Sequence, residues 1–298
     1  MPIFVGYNDC CDFVDMKSRR KFIKQTFTGT ILGAVASLPI ASLAAENTNI
    51  KNVKNNKAKL RFAIASDGHY AQPNTPFAEN HENLVKWLTQ EHRQQALDFI
   101  IINGDLVHDR PNLLPEVKTK YFDRFPVPYY TIPGNHDHAD AALWKSVFGY
   151  EDNYSFTQKN IGFVLANTAD TKGKYIAPDN KFLKRELDKM TNLPIVLVIL
   201  HIPPHMWVPE NFFVDAPDTI ALLHKYPNVK AVFHGHDHTL DSVFYTTKLP
   251  HFFDGHYGGD WGTNYKGYRI VEINDDDSLQ TYQVNASKDP ILNKVTLK

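Results

Sequence analysis

Five apolar runs punctuate the chain, and each stops abruptly in polar residues. Residues 60–66 run into Asp67-Gly68-His69, residues 99–103 into Gly104-Asp105, and residues 127–132 into Pro133-Gly134-Asn135-His136-Asp137-His138. Residues 195–200 run into His201, and residues 229–233 into His234-Gly235-His236-Asp237-His238. Apolar runs of this length closed by glycine and polar residues predict strands, and a strand that ends this way puts its last side chains on a loop, where a rigid sheet can aim them. That every one of these tips delivers Asp, His or Asn predicts that they meet in one site.

The pattern between the runs sets the fold class. Residues 83–97 carry Leu84, Val85, Leu88, Ala96 and Leu97 at a rough helical period. Strand, helix and strand at that spacing predict a βαβ unit with parallel pairing. Later the pattern changes: residues 153–157 and 161–166 predict a hairpin, residues 182–190 a short amphipathic helix, and residues 267–273 and 279–284 a second hairpin. The acidic triplet Asp275-Asp276-Asp277 between the last two strands is expected to be a solvated turn and not a metal site. No internal repeat is visible. The expectation is an α/β fold with two mixed sheets flanked by helices, its polar tips in the crevice at the carboxyl ends of the strands.

Composition narrows the partners. With 298 residues, 43% hydrophobic and 22% charged, the chain suffices for one large core. A formal net charge of −1 leaves no electrostatic footprint for a nucleic-acid polymer. After the leader there is no uninterrupted apolar run of the ~18 residues a spanning helix needs, so stable membrane insertion is not expected.

Residues 1–44 read as an extension and an export leader. Ser18-Arg19-Arg20-Lys21-Phe22-Ile23-Lys24 precedes a moderately apolar stretch over residues 26–43 and small residues around Ala44. The paired arginines resemble a twin-arginine signal, which implies the twin-arginine export machinery as a partner and a periplasmic or secreted bacterial protein. Cleavage is expected near Ala44, and Met16, directly before the signal, is a candidate for the true start. Residues 45–59, rich in Lys and Asn, are expected to be a flexible tether, with the folded domain over residues 60–298. Cys10 and Cys11 are the only cysteines. Without them the exported chain has no thiolate, and any metal site is built from His, Asp and Asn. Hard oxygen donors mixed with imidazoles suit Mn, Fe or Zn.

The ordered set Asp67-x-His69, Gly104-Asp105, Gly134-Asn135-His136-Asp137, His201 and Gly235-His236-x-His238 resembles the signature blocks of the calcineurin-like metallophosphoesterases. That resemblance implies a four-layer αββα sandwich with two metal ions. It implies Asp67, His69 and His238 on the first ion, Asn135, His201 and His236 on the second, and Asp105 bridging the two. A bridging carboxylate holds two cations about 3.5 to 4 Å apart. It also implies in-line attack on phosphorus by a metal-activated hydroxide, with His136 facing the substrate as the group that stabilises or protonates the leaving oxygen.

Two departures matter. Protein phosphatases of this family carry an aspartate three residues after the bridging aspartate, paired with the acid histidine; here that position is His108, with Asp109 and Arg110 shifted. Purple acid phosphatases lack the histidine that is His69 here. The closing blocks look more like the cyclic-nucleotide phosphodiesterase branch, which leads to a phosphodiesterase as the expected activity. A phosphomonoesterase with the same metal centre, or a non-catalytic metal and phosphate binder, stays open. His81, His92 and His224 read as plain surface histidines. His108, His138, His205, His234, His251 and His256 are candidates for supporting ligands or contacting substrate. Met206, Trp207, Phe212, Phe213, Tyr257 and Trp261 either line the leaving-group pocket, where they can stack a nucleobase, or form the apolar underside of a loop.

Overall fold

The computed structural model describes residues 58–207, 212–288 and 291–297. The expected leader, Cys10, Cys11 and most of the tether lie outside them. The first half of the domain places β1 (Leu60–Ala65), α1 (Phe77–Gln94), β2 (Phe99–Asn103), α2 (Leu114–Lys120), β3 (Tyr129–Ile132), α3 (Ala141–Phe148), β4 (Tyr154–Gln158) and β5 (Ile161–Leu165). It continues with α4 (Asn180–Lys189), β6 (Ile195–Ile199), α5 (Pro217–Leu223), β7 (Val229–His234), β8 (Val243–Thr246), β9 (Leu249–Phe253), β10 (Tyr268–Ile273), β11 (Leu279–Val284) and β12 (Ile291–Leu297).

Two six-stranded sheets result, ordered β12-β11-β10-β1-β2-β3 and β4-β5-β6-β7-β9-β8. Both are mixed. In the first, β1 pairs parallel with β2 and antiparallel with β10; in the second, β5, β6, β7 and β9 run parallel between antiparallel edge strands. Strand alternation explains how they stack. Leu60, Phe62 and Ile64 point from β1 into a core shared with Phe163, Leu197 and Phe233 of the other sheet. Ala63 and Ala65 point the opposite way, toward Leu84, Val85 and Leu88 of α1. On the far side Val196 and Val198 meet Phe182, Leu183 and Leu187 of α4. Helix, sheet, sheet and helix make the four αββα layers expected.

Both predicted hairpins form, as β4–β5 and β10–β11. The acidic triplet closes the second as a turn, with Asn274 N–H donating to Ser278 O at 2.9 Å. The predicted helix over residues 83–97 lies earlier, at Phe77–Gln94. Pro76 starts it, and its buried face continues N-terminally through Asn80 and His81, polar residues that an apolar count passes over. His81 is thereby corrected from a surface histidine to a fully buried one. Its Nδ1 donates to Phe77 O at 2.7 Å, and its Nε2 accepts from Tyr257 Oη at 3.2 Å. His224 is exposed, as expected. Among the described residues no helix is long and apolar enough to cross a membrane.

Candidate metal centre

The five polar tips converge at the carboxyl ends of β1, β2, β3, β6 and β7. Asp67, His69, Asp105 and His236 all adopt left-handed backbone, with φ of 60°, 47°, 53° and 68°. Such conformations cost non-glycine residues on the order of 1–3 kcal/mol each and gather where a site fixes its side chains. Backbone bonds hold the first two tips in place: Asp67 N–H donates to Gly104 O at 3.2 Å, and His69 N–H to Asp105 O at 2.9 Å. Glycines let the tips approach. A β-carbon at Gly104 would stand 2.2 Å from His201 Nδ1, and one at Gly134 2.2 Å from Asp105 Oδ1.

Two buried clusters follow, each with its donor atoms within 4.8 Å of one another: Asp67 with His69 and His238, and Asp105 with His201 and His236. In the first, His238 Nε2 lies 3.0 Å from His69 Nε2 and 3.1 Å from Asp67 Oδ1. Asp105 joins the two. Its Oδ1 accepts from the His136 N–H at 2.8 Å, while Oδ2 lies 3.3 Å from His201 Nε2 and 3.6 Å from His69 Nε2.

The donor set fits metal ions. Asn135 Oδ1 and His236 Nε2 are buried without a hydrogen-bond partner, a state that costs free energy unless something accepts their lone pairs, and His201 Nε2 faces Asp105 Oδ2 at 3.3 Å. The other ring nitrogens are already committed: His201 Nδ1 donates to Asn103 O at 2.7 Å, and His238 Nδ1 to Trp261 O at 3.1 Å, which leaves Nε2 for a cation. Burial pushes the His69 and His236 imidazoles down to about 3, so both stand neutral as ligands must. Burial acts to raise Asp105, yet His201 and its neighbours outweigh it and hold the carboxyl well below its usual range. Burial likewise opposes the His201 cation, but Asp105 and Asp67 prevail and raise it to about 9. Without metal, that proton is the counter-charge.

His136 stands on the open side. Its Nδ1 is 2.7 Å from Asp109 Oδ1, and its ring lies 4.7 Å from His108 at 11° between planes. Burial works to lower the His136 pKa, but Asp105 and Asp109 hold it above the ordinary imidazole value. The same Asp109 oxygen meets His138 Nε2 at 3.1 Å. His108 Nδ1 lies 3.1 Å from His69 Nδ1, where it can fix the tautomer of that ring.

The other candidates sort by contact. His256 stacks behind His238 at 4.8 Å. His234 and His251 pair at 2.9 Å in the buried layer behind the tips, and the exposed His205 packs edge-on to Trp207. Of the aromatic residues, Trp261 stacks on His238 at 4.0 Å and 4°, and Phe212 stacks on Trp261 at 5.6 Å. Trp207 packs instead against His251 at 4.7 Å, and Tyr257 is fully buried against His81, so neither lines an open pocket at the centre. Tyr175, which no motif marks, lies 4.7 Å from His236, edge to face. Burial and the nearby Asp105 push its phenol above the usual range. A cavity of about 880 Å³ lies elsewhere, lined by Ile195, Val229 and Asp277 at the starts of β6 and β7 and the β10–β11 turn.

Comparison with known proteins agrees with this geometry. The calcineurin-like phosphoesterase family model matches residues 60–240. A 3′,5′-cyclic-nucleotide phosphodiesterase of Nostoc sp. is 30% identical over 156 residues, 50% of this chain and 58% of that protein. A probable glycerophosphodiester phosphodiesterase of Arcobacter nitrofigilis is 25% identical over 162 residues, 50% of this chain and 59% of that protein. The match thus spans under three fifths of either relative. Among solved structures, a dimetal phosphatase from Danio rerio superposes with a TM-score of 0.68 at 13% identity, covering 81% of this chain and 99% of that one. A purple acid phosphatase from yellow lupin seeds gives 0.60 at 16%, covering 80% of this chain and 53% of that one. These two likenesses concern the fold.

Proposed function

We propose that this chain, which belongs to the calcineurin-like phosphoesterase family, is an exported two-metal phosphodiesterase. The observation that carries the metal assignment is the pair of orphaned donors, Asn135 Oδ1 and His236 Nε2, buried beside two carboxylates. Asp67, His69 and His238 would hold one ion, Asn135, His201 and His236 the other, with Asp105 between them. When bound, the two ions supply Lewis-acid charge that lowers the pKa of water and neutralises phosphoryl oxygens.

The chain's own residues do the rest. His136 presents Nε2 to the substrate while Asp109 holds Nδ1, so the ring can deliver a proton to the departing oxygen. Trp261 and Phe212 offer an aromatic wall beside His238 and His236 for the leaving group. Tyr175 packs edge to face on His236 at 4.7 Å.

The names of the two curated relatives, both phosphodiesterases, support a diester as the substrate. The experiment is hydrolysis of matched aryl phosphate mono- and diesters after loading with Mn, Fe or Zn, with Asp105→Ala as control. Diester cleavage absent from the control is the expected result; turnover of the monoester alone would make the chain a phosphatase, and silence with two ions bound would make it a binding protein.

Export rests on Arg19 and Arg20 in the leader, and the twin-arginine machinery is its proposed partner. N-terminal sequencing of the secreted protein should begin near Ala45, and a start well before Ser42 would count against it.

A further inference from the structure

A buried ion pair joins the two sheets directly behind the metal centre. Asp254 follows β9 of the second sheet, Arg269 belongs to β10 of the first, and both are 0% exposed. Arg269 Nε donates to Asp254 Oδ1 at 2.9 Å, its Nη2 to Phe253 O at 2.6 Å and Asp241 O at 3.1 Å, and its Nη1 to Thr281 Oγ1 at 3.3 Å. The other carboxylate oxygen, Asp254 Oδ2, accepts from Asn103 Nδ2 at 3.2 Å.

Asn103 is the last residue of β2, and its carbonyl is where the chain of contacts meets the site. That oxygen accepts from His201 Nδ1 at 2.7 Å and lies 2.7 Å from Ser66 Oγ, which also contacts Asp67 Oδ2. His201 is therefore oriented directly against this carbonyl, while Asp67 is reached only through Ser66, whose single hydroxyl hydrogen serves one of the two oxygens at a time. Asn103 Oδ1 has no partner. Turning the amide over would set that oxygen against a carboxylate, so Asp254 selects the orientation of Asn103. An ion pair this deep stabilises a fold little, since apolar residues of similar volume often serve as well or better.

We propose that Asp254 and Arg269 are positioning residues for the metal centre: acting through Asn103, they hold His201 in the orientation that a metal ion on its Nε2 requires. This rests on the two-metal reading above. It concerns groups that touch no metal and no substrate.

The test separates positioning from stability. In the full chain, the Asp254→Leu/Arg269→Met double variant removes both charges while keeping the site filled. Because Phe253 O and Asn103 Nδ2 lose their partners, its melting temperature should fall by several degrees with unfolding still cooperative, while calorimetric affinity for Mn²⁺ in the folded variant falls about 10- to 100-fold for at least one ion. The magnetic-coupling signature of the Mn pair should fall with it. Should the double variant fail to fold, Asn103→Ala interrupts the same path with the ion pair intact, and should show the same loss of affinity. A folded double variant, or a folded Asn103→Ala, that takes up both ions with parental affinity and coupling overturns the proposal alone. A parent that never binds two ions overturns the two-metal reading and this inference with it.

Discussion

Asp109 Oδ1 stands 2.7 Å from His136 Nδ1 although it lies one position beyond the place where the family's phosphatases carry their acid-orienting aspartate. Left-handed backbone at Asp109, φ 56°, turns the carboxylate back toward the site, and its N–H donates to His136 O at 2.9 Å. The shift releases the earlier position to His108, which packs on both His136 and His69. A His–Asp pair is thus rebuilt from a displaced sequence.

Asp109→Asn should keep its metals and lose activity selectively. With the carboxylate gone, the His136 proton is held less firmly, and general acid catalysis contributes roughly 10²- to 10⁴-fold where the leaving group is poor. We expect kcat to fall at least about tenfold on alkyl diesters and little on 4-nitrophenyl diesters. His136→Ala should show the same leaving-group dependence more strongly. A series of substrates of graded leaving-group pKa, with metal content measured for each variant, checks both.

Metal uptake should displace a proton from His201. Its pKa near 9 in the metal-free centre arises because Asp105 and Asp67 overcome the penalty of burial. A ligand must be deprotonated to bind. Between pH 7 and 9, binding should therefore release about one proton from this residue, with affinity rising about tenfold per pH unit and levelling near pH 9. Calorimetry of Mn²⁺ binding in buffers of different ionisation enthalpy measures the release. Asp105→Ala removes the strongest partner of His201 as well as the carboxylate proposed to lie between the two ions, and should bind neither ion tightly.

What the sequence makes legible here is what repeats. Apolar strands ending in Asp, His and Asn can be read because burial on both faces forces continuous apolar runs, and because a site needs its donors at strand ends. Asp109 is harder to read, since its role depends on one backbone angle. His81 misleads because its hydrogen bonds to Phe77 O and Tyr257 Oη satisfy a polar ring inside a helix face that apolar periodicity leaves blank. Arg269 and Asp254 lie fifteen residues apart on different sheets. Nothing local announces their pairing; only the packing of one sheet on the other brings them together.

His81 should make the fold acid-sensitive. Burial lowers its pKa from 6.5 to about 4, against the modest help of Phe77 O. The unfolded chain therefore binds the proton more tightly than the folded one between these values. The stabilisation is complete above pH 6.5 and is lost as the pH falls toward 4. At about 1.4 kcal/mol per unit the difference is roughly 3 kcal/mol. Urea unfolding of chelator-treated protein at pH 7, 5.5 and 4.5 should give a shallower pH slope for His81→Gln than for the parent. Equal slopes would show that this ring does not titrate on unfolding.

Trp261 and Trp207 should separate cleanly, although both are tryptophans on loops packed against histidine rings. Trp261 is 38% exposed and lies parallel to the His238 ring at 4.0 Å, with Phe212 beside it, so it offers an aromatic surface next to the metal centre. Trp207 packs on His251, Phe244 and Phe253, on the β8–β9 side of the molecule. Stacking of a base on an aromatic side chain contributes about 1–3 kcal/mol. Trp261→Ala should accordingly lower kcat/KM for nucleotide diesters about tenfold more than for small alkyl diesters, with little change in melting temperature. Removing a large packed side chain costs up to about 3–5 kcal/mol. Trp207→Ala should therefore lower melting temperature and leave the ratio of rates on the two substrate classes unchanged. Two rate ratios and two melting curves decide the matter, and a substrate effect at Trp207 with none at Trp261 would reverse the assignment of the leaving-group wall.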